Sequence, residues 1–446
     1  MLTLQGYKIA KKDISNLNHI KSMLNVRPYV PSVFVKPQYV KKYPVYNEDS
    51  EFLYVPKHFG IQHFGPLKTS LRNITKQNES NWEFNGSIRT HQEEVIKSFL
   101  CPEPRDGIIS LQTGGGKTVC ALFIASKLRV PTIILVHNTF LRDQWIDRIR
   151  SFLPKARIGC IQGDKIDIKE KDIVVAMLQS ISLKDYSTDV FENFGFLIVD
   201  ECHHIASESF SQAIPKLTCQ YMLGLSATPE RKDRLMYVIN WFLGPILYKS
   251  DTSDKKDENV KVEVYEFEPD NEEFNTIIYN SQGVMFTSLM INKLVEFQER
   301  NKFLVEILLD VIEDKRQLLL LSDRVDHLKT LFELFPPEIQ EQACILGREV
   351  KSEQRTIWCE TKKILLATYQ MCKEGFDVAT LNTLIIATPR PDVDQIVGRI
   401  LRTEKVGREI NPLIIDIVDS TFRRQFQSRL SLYNSRNYKV EKMKLI

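Results

Sequence analysis

Short apolar runs alternate with helix-period segments along most of the chain. Between 107 and 248 the runs GIISL, TIILV, IVVAM and FGFLIV are separated by stretches whose apolar residues recur at helical spacing. Such alternation predicts a parallel sheet covered by helices. One helix is sharply delimited: Asn138 and Thr139 are good N-caps, Leu141, Trp145, Ile149 and Phe152 share a face, and Pro154 stops it. A second set of runs, QLLLL (317–321), KILLA (363–367), TLIIA (383–387) and LIIDIV (413–418), predicts a second parallel sheet. After WFLGPILY, the stretch KSDTSDKKDENV is almost free of apolar residues and reads as a solvated connection, with a boundary near 250–260.

The first 87 residues have a different texture. Pro28, Pro31, Pro37, Pro44 and Pro56 are interleaved with tyrosine and phenylalanine, which allows only short edge strands and turns. The expected organisation is therefore α/β, with an accessory domain over 1–87, a first lobe over 88–250, a linker with an inserted helical element over 251–316, a second lobe over 317–420 and a tail over 421–446.

Composition narrows the class. With 446 residues, 43% of them hydrophobic, the chain can fill two or three cores, which excludes disorder throughout. The eight cysteines (101, 120, 160, 202, 219, 344, 359, 372) never stand two residues apart, so they spell neither a zinc knuckle nor a redox pair. MLTLQGYKIAKK lacks a signal-peptide core, and no apolar run approaches a membrane span, so an intracellular, soluble protein with no membrane partner is expected. The formal charge of +3 hides an asymmetry: residues 1–87 carry +6 and residues 420–446 another +6, leaving −9 in the middle.

GIISL runs directly into Gln112, Thr113, Gly114, Gly115, Gly116, Lys117 and Thr118, and then into an apolar helix. Consecutive glycines let successive N–H groups and a helix N-terminus face phosphate oxygens. Lys117 would reach the β and γ phosphates of ATP, and the Thr118 hydroxyl would ligate Mg²⁺. Leu111 stands where the standard pattern has its first glycine. FGFLIV delivers Asp200 and Glu201 to the C-terminal end of a strand, the edge where parallel sheets bind ligands. Asp200 suits Mg²⁺, and Glu201 suits the attacking water. The adjacent Cys202, His203 and His204 diverge too much to converge on one metal ion.

These residues resemble the superfamily two helicases, in order along the chain. Ile88, Arg89 and Gln92 are similar to the base-recognition motif, residues 113–118 to the phosphate loop, LVHNTFLRDQW and VVAMLQS to strand-contacting motifs, VDECHH to the DEAH-type box and LSATP to the coupling motif. LLLLSDRVDHL, LLATYQMCKEGFDVATLNTLIIATPR and QIVGRILR resemble the fourth, fifth and sixth motifs. LSATPERKDRLMYVINWFLGPILY is most similar to the group that includes the xeroderma pigmentosum group B helicase, phage branch-migration helicases and transcript-release helicases of poxviruses and other large DNA viruses. Lys232 breaks that group's Arg-Glu-Asp motif.

The resemblance implies two RecA-like lobes in tandem. It assigns Arg399 and Arg402 as arginine fingers, Gln395 to the γ-phosphate or water, Gly375 and Asp377 to the ribose, and Gln179, Ser180 and Thr368 to strand contact. It assigns His204 to a hydrogen-bonded link with Ser226 and Thr228. The implied activity is ATP-dependent translocation on nucleic acid, with double-stranded DNA the favoured substrate and transcription or repair proteins as partners. RNA unwinding and an ATP-gated clamp without strand separation are the alternatives. A viral source would place the protein in the cytoplasm or nucleus of an infected cell, or in the virion. The basic ends are expected to add nonspecific phosphate contacts.

Overall fold

The computed structural model describes residues 1–30, 39–67, 82–112, 114–208, 210–227, 231, 233–250, 256–281, 283–312, 315–347, 349–373, 378, 380–401 and 409–443. The chain divides into two compact units, residues 1–250 and 251–446.

In the first unit the N-terminal residues form β1 (Leu2–Thr3), β2 (Gly6–Ala10), β3 (Asn25–Val26), β4 (Tyr43–Pro44), β5 (Asn47–Glu48) and β6 (Phe52–Val55). These short strands make a four-stranded antiparallel sheet, β1-β2-β6-β5, and a separate β3-β4 pair. They do not enclose a core of their own. Tyr7, Leu24, Val26, Tyr43, Leu53, Val55 and Phe59 share one buried cluster with Ile108, Leu197, Met222, Val238 and Phe242. The accessory region therefore packs as one body with residues 88–250. Lys57 and Asp106, both nearly inaccessible, form a 2.6 Å ion pair, and the Asp106 carboxylate also meets His58 at 3.0 Å and accepts from the Met222 N–H at 2.9 Å. Burial alone would raise the Asp106 carboxyl, but Lys57 and His58 hold it below its ordinary range.

The first large sheet comprises β7 (Gly107–Ser110), β8 (Thr132–Val136), β9 (Ile158–Gln162), β10 (Lys165–Asp167), β11 (Ile173–Met177), β12 (Phe196–Val199), β13 (Tyr221–Ser226) and β14 (Ile246–Lys249). Their order is β10-β9-β11-β8-β12-β13-β7-β14, parallel except for the β9–β10 hairpin. Strands β7, β8, β11 and β12 are buried along their whole length, which is why they read as unbroken apolar runs. Register pairs Val199 with Leu135 and Gly224, and Ser226 with Ser110, so several strand ends reach one edge together.

The second unit has β15 (Lys261–Phe267), β16 (Leu318–Ser322), β17 (Ala343–Leu346), β18 (Ile364–Thr368), β19 (Thr383–Ile386), β20 (Leu413–Asp419) and β21 (Lys439–Met443). All are parallel, in the order β17-β18-β16-β19-β20-β15-β21. Two of these strands lie outside the segments assigned to the second lobe. KVEVYEF at 261–267 is a strand of its sheet, although its stretch reads as linker and helix. The alternation of apolar and charged residues marks a strand that the solvated run before it obscures.

The basic tail is also structural. After the helix Arg423–Ser435, β21 pairs with β15. Arg429 is buried and makes a bidentate pair with Asp416 at 2.8 Å on both arms, donates to the Arg390 carbonyl at 2.8 Å, and shares Asp416 with the Tyr433 hydroxyl. Arg436 pairs with Asp394 at 2.7 Å. Charges expected to face phosphate are therefore partly committed inside the fold. Arg429→Ala would leave Asp416 buried without its cation and is expected to cost about 3–5 kcal/mol in denaturant unfolding of the second unit. A loss below about 1 kcal/mol would contradict this account of the tail.

Candidate nucleotide site

β7 ends at Ser110, and the chain turns through the glycines into the helix Lys117–Leu128. Gly114 and Gly116 adopt φ of +83° and +84°, left-handed values that favour glycine. A Cβ at Gly116 would also stand 2.0 Å from Gln92 Nε2, so the amide that braces the loop would have to move. Gln92 is buried; its Oε1 accepts from the Arg89 N–H at 3.0 Å, and its Nε2 lies 3.5 Å from the Gly115 carbonyl. His91 reaches the same carbonyl at 3.4 Å. The segment 89–92 therefore braces the loop from behind. Thr113 lies outside the described residues.

Lys117, the first residue of the helix, donates to the Leu111 carbonyl at 3.3 Å and stands 3.7 Å from Glu201 Oε1. Glu201 follows the fully buried β12 and has φ of +46°, a strained conformation for a side chain with a Cβ. Burial and the neighbouring Glu201 push the Asp200 carboxyl above its ordinary range. Burial acts on Glu201 in the same direction, but the Lys117 ammonium and His203 hold it below its ordinary range. Asp200 Oδ2 accepts from the Trp145 indole N–H at 2.8 Å, and Oδ1 accepts from the Glu201 N–H at 3.0 Å.

Among the described residues, two carboxylates thus sit beside one ammonium, and the buried Glu201 Oε2 is approached by the His203 ring at 3.3 Å. A divalent cation would relieve this imbalance. The hard oxygens of Thr118 and Asp200 suit Mg²⁺, so the residues fit such an ion when it arrives with phosphate.

The histidine assignment needs correction. His203, not His204, approaches Ser226, with Nδ1 3.4 Å from Oγ. The His204 ring packs between those of His137 and His203, at centroid distances of 4.2 and 4.3 Å, and burial lowers its pKa to about 3, which keeps it neutral. The turn Cys202–His204 is a tight 3-10 helix that swings the first histidine toward β13. Thr228 lies outside the described residues.

The other expected site residues take the following places. Ser180 accepts from the Gly163 N–H in the β9–β10 turn at 2.9 Å, and Thr368 accepts from the Met371 N–H at 3.2 Å as a local cap. Arg231 pairs with Asp233 and reaches toward the Ala206 carbonyl, which the Tyr43 hydroxyl also meets at 2.9 Å. Gln179 is exposed. Gln395 and Arg399 lie on the helix Asp394–Ile400 of the second unit, whereas Arg402, Gly375 and Asp377 lie outside the described residues. Trp145 and His137 were not singled out by sequence for the site. A tryptophan on an apolar face must still satisfy its N–H when buried, and that was the available signal.

Known proteins share the sequence and fold of this chain over most of its length. Residues 85–231 match the family model described as type III restriction enzyme, res subunit. A protein of Acanthamoeba polyphaga mimivirus named as an ATP-dependent RNA helicase is 32% identical over 99% of this chain and 86% of its own length. A DNA 3'-5' translocase of Sulfurisphaera tokodaii is 34% identical over 37% of this chain and 36% of that protein. Among solved structures, S. cerevisiae Dbp5 bound to RNA and ADP-BeF3 shares the fold, with TM-score 0.54, 14% identity, and coverage of 79% of this chain and 88% of that one. The restriction-modification enzyme LlaBIII bound to DNA gives TM-score 0.57 and 13% identity over 81% of this chain and 31% of that chain. The fold is two RecA-like lobes in tandem.

Gly116→Ala is expected to weaken nucleotide binding at least tenfold more than Gly114→Ala. Both positions demand a left-handed backbone, but open space surrounds Gly114, while Gly116 abuts Gln92. Fluorescent-nucleotide titration of the two variants checks this, and equal losses would remove the Gln92 brace from the account.

Proposed function

The chain belongs to the superfamily 2 helicases, ATP-hydrolysing enzymes that act on nucleic acid, and we propose that it is a motor that translocates on duplex DNA. The observation that carries the enzymatic part is the set of Lys117, Asp200 and Glu201 at one sheet edge, with the phosphate loop braced by Gln92.

In this reading Lys117 holds the β and γ phosphates, the loop N–H groups cradle them, and Arg89 and Gln92 meet the base. Thr118 and Asp200 hold Mg²⁺, which when bound neutralises phosphate charge. Glu201, kept ionised by Lys117 and His203, orients the water and polarises it. His203 relates this carboxylate to Ser226 and so to the coupling motif, with Thr228 next in the chain. Gln395, Arg399 and Arg402 act at the γ-phosphate, and Gly375 and Asp377 at the ribose. Residues 1–87 work as part of the first lobe.

Support for DNA comes from the segment that follows LSATP and from the 34% identity to an archaeal protein named as a DNA translocase. RNA is the second reading, since the mimivirus relative that spans nearly the whole chain is named as an RNA helicase. The mimivirus relative favours action in an infected cell or virion, and transcription or repair proteins are the proposed partners. No helix among the described residues is long and apolar enough to cross a membrane.

ATP turnover measured with double-stranded DNA, single-stranded DNA and RNA, beside a strand-displacement assay, decides the substrate. Duplex DNA is expected to stimulate most, and stimulation by RNA alone would overturn the DNA reading. Lys117→Ala and Glu201→Gln are each expected to lower stimulated turnover by at least a hundredfold with the fold intact, while Arg402→Ala keeps nucleotide binding and loses turnover. Wild-type turnover in either of the first two would sink the site.

A further inference from the structure

Trp145 lies two turns into the helix Thr139–Phe152, 1% exposed, where its apolar neighbours Leu141 and Ile149 already account for a large side chain. Packing does not account for its nitrogen. A leucine or phenylalanine could fill the same face, but only tryptophan brings an N–H, and this one is aimed at Asp200 Oδ2 at 2.8 Å. With Oδ1 held by the Glu201 N–H, each oxygen of the carboxylate has one donor, and its plane is fixed.

The same stretch of chain holds the acidic turn at two further points. The Asp200 N–H donates to the Leu135 carbonyl at 3.0 Å, and the His137 ring packs on His204 at 4.2 Å. Residues 135–145 therefore grip the backbone, the carboxylate and the adjoining histidine of 200–204. This stretch is also the segment whose sequence resembles a strand-contacting motif, and Asn138 caps the helix through the Leu141 N–H at 2.8 Å.

We infer that Trp145 is a positioning residue: its indole N–H holds the Asp200 carboxylate in register for the magnesium–nucleotide complex. The inference rests on the reading of Asp200 as the Mg²⁺ carboxylate. A hydrogen bond to a charged group is worth enough to shift an equilibrium by about tenfold or more, and losing this one frees the carboxylate to rotate out of register.

Binding of mant-ADP to the full chain, titrated in Mg²⁺ and in EDTA, tests this. In the wild type, Mg²⁺ tightens binding. Trp145→Phe is expected to cut the Mg²⁺-dependent gain about tenfold and leave the EDTA affinity unchanged. In an Asp200→Asn background it should change nothing further. A purely structural Trp145 would instead lower both affinities alike, and that result, or an unchanged Mg²⁺ gain, overturns the inference. If the wild type itself shows no Mg²⁺ gain, the reading of Asp200 fails first and takes this inference with it. Should Trp145→Phe not fold, the indole N–H resonance of Trp145 in ¹⁵N-tryptophan-labelled wild type decides: it should shift with Mg²⁺–ADP and not with ADP in EDTA, and no difference overturns the proposal.

Discussion

Two adjacent, half-buried carboxylates that share a single ammonium among the described residues are the constraint on which the first lobe depends. Removing charge from water is expensive unless it is matched, and here the match is incomplete. Much of the surrounding structure serves to keep Asp200 and Glu201 in place despite that cost. Lys117 arrives at the start of a helix only because the glycine loop can turn through left-handed backbone. Trp145 and the Glu201 N–H hold one carboxylate, while Lys117 and His203 stand against the other. Glu201 itself accepts a strained φ of +46° to bring its side chain to the sheet edge. Strain and unmatched charge at the end of a central strand mark a place prepared for a ligand.

The charge asymmetry of the sequence takes on a different meaning in the fold. Twelve positive charges in excess at the two ends suggested phosphate contact, yet several are spent internally. Lys57 is buried against Asp106, just ahead of the strand that leads into the phosphate loop. Arg429 and Arg436 fix the C-terminal helix to Asp416 and Asp394. The N-terminal residues share a core with the first sheet, and β21 extends the second. Other basic residues remain outward, such as Lys41, whose exposed partner Glu208 can hold it only weakly. A count of charge by segment cannot separate these two uses, since both depend on contacts far apart in sequence.

Strands that lie in the middle of a parallel sheet were legible because both faces are covered and nearly every position is apolar, as in TIILV and IVVAM. The phosphate loop and the acidic pair were legible because their chemistry is local. β15 and β21 were not: Lys261, Glu263, Glu266, Lys439, Glu441 and Lys442 give them the polarity of surface chain, and their pairing partners are up to 178 residues away. The histidine link was misassigned by one position, because a 3-10 turn redirects side chains in a way that neither helix nor strand periodicity anticipates. Trp145 was counted as core, which it is, and its hydrogen bond to a residue 55 positions later leaves no mark on the apolar pattern.

The second unit shows what a buried charge looks like when structure alone is served. Arg300 and Asp419 are wholly enclosed, and the guanidinium meets both carboxylate oxygens at 2.6 and 3.0 Å while donating also to the Ala387 carbonyl. Arg429 treats Asp416 in the same way, with Tyr433 on the same carboxylate. In both, a bidentate arginine balances one carboxylate and a further hydrogen bond anchors the pair, the geometry in which a buried ion pair is tolerable. Among the described residues, the acidic pair of the first unit has neither a guanidinium nor equal charge. Its cation is a lysine at 3.7 Å, too distant for a good hydrogen bond and able to move toward an incoming phosphate. Matched, rigid pairs hold the sheets together; the unmatched acidic pair is where binding energy can still be gained.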